Sequence, residues 1–145
     1  MGRAGIGAIG AVLALLAATA AHAQPPGGFS LVSGDPLTAF RTSTSRATSG
    51  LVSVEGPGFG RAIRVDVSQP GQTWDVELGA RLGRAVARGE VAYFTFQARA
   101  IRPAPDTDEA YFTVYAQRAT ANYDKSLYES VAVGREWQSF TLPFT

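Results

Sequence analysis

Two stretches of this 145-residue chain carry side chains suited to holding a neutral, hydroxyl-rich ligand. From Val91 to Ala100 every second residue is apolar (Ala92, Phe94, Phe96, Ala98, Ala100). From Ala110 to Gln117 the row Phe112, Val114, Ala116 does the same. A period of two marks strands that bury one face. The opposite rows read Tyr93, Thr95, Gln97, Arg99 and Tyr111, Thr113, Tyr115, Gln117, with no carboxylate in either. Tyrosine gives a rigid flat area with a polar tip, the form that packs on the apolar face of a sugar ring. The Gln carboxamide and Arg guanidinium hold donors and acceptors in fixed forks that match adjacent hydroxyls. Opposed residues on neighbouring antiparallel strands sit about 5 Å apart, so the two rows are expected to make one platform. Its expected contacts are Tyr93, Gln97, Arg99, Tyr115 and Gln117. The plainer alternative is a solvated face on which Tyr stands because it favours strands anyway.

Other aromatic and acidic residues are read against that platform. Trp74 shares its parity with Val76 and Leu78, which suggests the core, yet it comes after a Pro-Gly turn at a strand mouth, where its ring would face a ligand. Both readings stay open. Glu77 lies on the other row, either accepting from sugar hydroxyls or simply solvated. Tyr111 and Tyr128 are candidate platform edges, whereas Trp137 and Phe140 read as core. Glycoside hydrolysis needs two carboxyl groups roughly 5–9.5 Å apart. Asp66, Asp75 and Glu77 are the candidates for such a cluster, but nothing in their spacing marks a raised-pKa acid, and no catalytic residue is assigned. Asp106-Thr107-Asp108-Glu109 lacks the full oxygen-ligand spacing of a calcium loop and reads as a solvated turn.

Composition removes whole classes of chemistry. There is no Cys, and the single His is His22. That residue falls in an N-terminal stretch with the marks of an export signal: Arg3, an apolar run from Ala8 to Ala21, and a small-x-small site at Ala21-His22-Ala23. The reading is a signal peptide over residues 1–23, cleaved after Ala23, an address rather than structure, and a secreted or periplasmic product. Taking residues 1–23 from 145 leaves 122, enough for one domain. With neither His nor Cys that product has no Ser-His-Asp or Cys-His machinery, no zinc site of the usual ligands and no disulfide. Losing Arg3 also brings the 13 Lys and Arg to 12, level with the 12 Asp and Glu. A balanced charge argues against nucleic-acid and anionic-membrane partners.

The elements that must position the platform are short strands. Residues 24–50 are rich in Gly, Pro, Ser and Thr and are expected to be linker and N-terminal wrap, pinned by Phe29, Leu31, Leu37 and Phe40. Strands are expected at Leu51–Val54, Ala62–Val67, Trp74–Leu78, the two opening stretches, Ser126–Val133 and Glu136–Phe144. No helix of useful length is visible. Six or seven such strands separated by turn residues predict an all-β, antiparallel sandwich over residues 51–145. The chain stops at Thr145 on a strand, which suggests a fragment lacking its last strand or strands, with an unpaired edge or unfilled slot.

Three runs in order carry a family likeness: Trp74-Asp75-Val76-Glu77-Leu78; Gly89 to Ala100 with its FxARA ending; and Tyr128–Val133 followed by EWxxFxxPF over Glu136–Phe144. Over residues 51–145 the chain resembles the CenC-like carbohydrate-binding modules. The resemblance implies a jelly roll of the galactose-binding-like type that binds xylan or β-glucan along a concave sheet, often N-terminal in secreted xylanases and other glycoside hydrolases. It implies no required cofactor. The structural calcium many relatives hold draws ligands from a closing strand with an Asp-Asp-apolar pattern, which is absent here. The expected function is non-catalytic binding of a plant-type polysaccharide. The alternatives are the leading part of a glycoside hydrolase such as an endo-xylanase, and an envelope sandwich whose aromatic face docks a protein.

Overall fold

Phe96 shows how the strands are layered. In the computed structural model, which describes residues 10–14, 29–42, 46–55, 58–69, 71–72, 74–120 and 122–145, its side chain is fully buried. It stacks on Phe140 at 4.9 Å, tilts against Phe94 at 5.2 Å and meets Phe112 at 6.0 Å between ring centroids. The elements are β1 (Gly10–Ala14), α1 (Pro36–Ala39), β2 (Arg41–Thr42), β3 (Ala47–Ser53), β4 (Arg61–Val67), β5 (Leu78–Gly79), β6 (Ala92–Arg102), β7 (Ala110–Gln117), β8 (Lys125–Val133) and β9 (Gln138–Phe144). Every ladder is antiparallel: β1–β6–β9, β3–β4, β2–β5 and β7–β8. The chain is an all-β antiparallel sandwich, with no closed barrel among the described residues, the class the alternation predicts.

Parity places each row. Phe94 and Phe96 of β6 stand opposite Leu142 and Phe140 of β9, and their shared side turns inward to the core. Phe112 of β7 stands opposite Val131 of β8, and Ala110 opposite Val133, with the same sense. The two ladders meet through Phe96 and Phe112, and Leu37, Ala47, Ile63, Val65 and Phe144 complete the buried cluster.

Three expectations change. The stretch read as linker and wrap is pinned at Leu31, Leu37 and Phe40 as expected but also holds regular elements. Asp35 caps α1 by accepting from the Leu37 N–H at 3.0 Å, this turn buries Leu37, and β2 and the start of β3 follow. Phe40 then stacks on Phe94 at 6.1 Å. The strand expected over Trp74–Leu78 shrinks to β5, because the Asp75 carboxylate accepts from the Gln72 N–H at 2.9 Å and closes a turn instead. A Cβ on Gly71 would overlap that carboxylate and the Arg46 guanidinium, so a side chain there would displace both groups. Lastly, part of the stretch read as a signal peptide is structured: β1 pairs with β6, Val12 opposite Arg99 and Ala14 opposite Gln97. The expected cleavage site at Ala21–Ala23 lies outside the described residues.

Because Phe96 links both ladders, Phe96→Ala should cost about 3–5 kcal/mol, the range for emptying a buried aromatic site. Chemical denaturation should show that loss as a lower midpoint at unchanged slope.

Candidate functional site: the outer faces of two sheets

The expected single platform is split. Since β6 and β7 face each other through their phenylalanines, their polar rows point away from each other, to opposite sides of the sandwich. Tyr93, Thr95, Gln97 and Arg99 lie on one outer face, with Thr141 and Ser139 of β9 beside Thr95 and Gln97. Tyr111, Thr113 and Tyr115 lie on the other, opposite Ala132, Ser130 and Tyr128 of β8. The sequence-based adjacency is therefore corrected, although the outward parity of both rows holds.

On the β6 face the individual residues diverge. Tyr93 is 55 % exposed, but Gln97 retains only 6 % and is flanked by β1 and β9, so it offers no contact to a ligand in this arrangement. Arg99 is half-buried, with its guanidinium 5.1 Å from the centre of the Trp137 ring. Phe59 meets that indole edge-on at 4.9 Å. Trp137 thus sits on the outer face rather than in the core, while Phe140 is inward as expected. The Arg99 Nε and Trp137 Nε1 donors are buried with no acceptor among the described residues.

The β7–β8 face is built for presentation. Tyr115 and Tyr128 are directly opposed across the ladder. The Lys125 ammonium lies 5.9 Å from the first ring centre and 5.7 Å from the second, within reach of both π-faces. The Tyr115 hydroxyl donates to Glu77 Oε1 at 2.5 Å, which fixes the ring from the neighbouring β5 segment. Burial, followed by that bond to Glu77, pushes the Tyr115 hydroxyl up to about 12. Tyr128 is exposed, and Gln117 is exposed opposite Lys125 at the bulge that ends the ladder. The connecting loop, closed by Arg118 N–H to the Asp124 carbonyl at 2.9 Å, carries Tyr123 at φ 47, exposed. A bulky residue in the left-handed region costs energy and points to a local purpose.

The structure thus gathers Tyr115, Gln117 and Glu77 from the expected set with Tyr128, and adds Lys125 and Tyr123. Neither addition stood out in the sequence, since Lys125 matters only through the ring pair beneath it and Tyr123 only through its backbone. Trp74 is 69 % exposed, so its core reading is dropped. At the far end of the face the Tyr111 hydroxyl donates to Glu109, and Arg135 pairs with Asp108 at 2.9 Å.

The carboxylates proposed as a cluster are separately engaged. Asp66 is held by Arg64 at 2.6 Å and Arg102 at 3.1 Å, Asp75 by Arg46 at 3.1 Å, and Glu77 by Tyr115. The Arg64 hydrogen bond holds the Asp66 carboxyl below its ordinary value, the opposite of what a general acid needs. Among the described residues no group of three or more His, Cys, Asp or Glu is placed to hold a metal ion. Comparison with protein-family models, curated proteins and solved structures gave no significant match.

Tyr115 should ionise near 12 in an ultraviolet pH titration, and Glu77→Gln should lower that midpoint part of the way toward 10, burial keeping the rest. A hydroxyl raised in the folded chain stabilises it fully below pH 10. That contribution should fade as pH rises from about 10 to about 12.

Proposed function

We propose that this chain is an exported, non-catalytic carbohydrate-binding module that holds a plant-type polysaccharide, xylan or β-glucan, on the outer face of β7 and β8. The observation that carries this reading is the opposed Tyr115–Tyr128 pair, with Glu77 fixing one hydroxyl and Lys125 lying over both rings. Two adjacent flat rings support stacking against successive sugar units. Gln117 and the remaining Glu77 oxygen supply planar hydrogen bonding beside them. The likeness to CenC-like modules and the leader-type N-terminus agree with that use. The parent product, on this reading, joins the module to a glycoside hydrolase. Binding at this face uses no metal, and a structural calcium would serve the fold alone.

A second reading has its own support: exposed Tyr111, Tyr123 and Tyr128 are the residue type enriched where proteins dock. Affinity electrophoresis on xylan, β-glucan and mannan separates the two. Retarded migration on xylan or β-glucan is expected, and unretarded migration on all three would favour protein docking. Tyr115→Ala and Tyr128→Ala should each weaken binding about tenfold, which is ~1.4 kcal/mol. Gln117→Ala should weaken it less, and Tyr93→Ala on the opposite face should leave it intact. Tyr128→Ala, Gln117→Ala and Tyr93→Ala should melt close to the parent chain, whereas Tyr115→Ala should melt lower because it also removes the hydrogen bond to Glu77.

A further inference from the structure

Among the described residues no strand of the β3–β4 ladder pairs with a strand of the β6–β9 ladder, and between them lies a seam. Into that seam runs β1, bonded to β6 from Ala14 opposite Gln97 to Gly10 opposite Arg102, and lying close along β4. The seam is lined for a strand. Ala98 and Ala100 on β6 are small and buried, and Ile63 and Val65 on β4 are buried beside it. Arg102 spans the end of the seam to Asp66 of β4 at 3.1 Å, clasping the two ladders on either side of the inserted segment. An empty seam would leave those backbone groups of β6 that face β1 without their partners, which is costly where the neighbouring rows are buried.

We propose that the seam between β4 and β6 is a strand-acceptor site for an extended apolar peptide segment running antiparallel to β6, filled in this chain by Gly10–Ala14. Its recognition chemistry is strand addition. Backbone hydrogen bonds to β6 give affinity, and the small side chains beneath select a segment of the Gly-Ala-Val-Leu-Ala kind. The same apolar residues also form the heart of the leader. On the export reading proposed above, on which this step rests, processing removes the occupant and leaves the site to a partner segment of the same chemistry.

The test uses the full chain with a specific protease site inserted between Ala23 and Gln24, folded first and cut afterwards. The 1–23 fragment should co-elute with the body in size-exclusion chromatography. A fluorescent peptide of residues 8–16 should displace it with saturable anisotropy, and the Val12→Pro peptide should bind at least tenfold more weakly. If the body loses its circular dichroism when the fragment leaves, recovery on adding the 8–16 peptide also supports the site, and no recovery overturns it. Immediate loss of the fragment with no saturable peptide binding overturns it as well. So does a dimer of the body that excess peptide does not dissociate, since the occupant would then be a second copy.

Discussion

The stacking of Phe96 between Phe140 of its own ladder and Phe112 of the facing one sets the layout of the whole sandwich. Two antiparallel ladders each carry one apolar row, and burying both rows requires them to face each other about 10 Å apart. Once they do, every polar residue on β6 must point away from every polar residue on β7. The binding chemistry is thereby divided between two surfaces, whatever ligand each row suits.

The two surfaces then acquire different characters from their neighbours. On the β6 side, β1 and β9 flank Gln97, and the Trp137 ring lies against Arg99, so the polar forks are taken up by the protein itself. On the β7 side, the ladder has only β8 as its hydrogen-bonded neighbour among the described residues, and the rings of Tyr115 and Tyr128 stay available. Glu77 consumes the Tyr115 donor and so presents a ring of fixed orientation rather than a free hydroxyl. Preorganisation of that sort reduces the side-chain entropy lost on binding.

The N-terminal strand β1 adds a constraint that composition hides. An export signal asks only for apolar length and small residues near its cleavage site, and strand addition asks for a short apolar segment with free backbone groups. Gly10–Ala14 has the composition both demands share, and in the folded chain it is the ladder partner of β6.

By itself the sequence determined the all-β class, the inward and outward row of each long strand and the inward Phe140, and it holds no Cys and a single His. These are properties of alternation and composition, which act along a strand or over the whole chain. Which strands lie side by side was decided only in three dimensions. The segment Pro103–Glu109 reads equally well as a hairpin loop or as a crossing between layers, and its seven residues reach far enough for the ~10 Å step. Trp74 shows the same limit on a smaller scale. Its parity was correct for a strand, but a hydrogen bond from the Gln72 N–H to the Asp75 carboxylate turned the backbone first and left the indole exposed. Periodicity tells a side chain which way to point from its own strand; packing two apolar rows together decides what it points at.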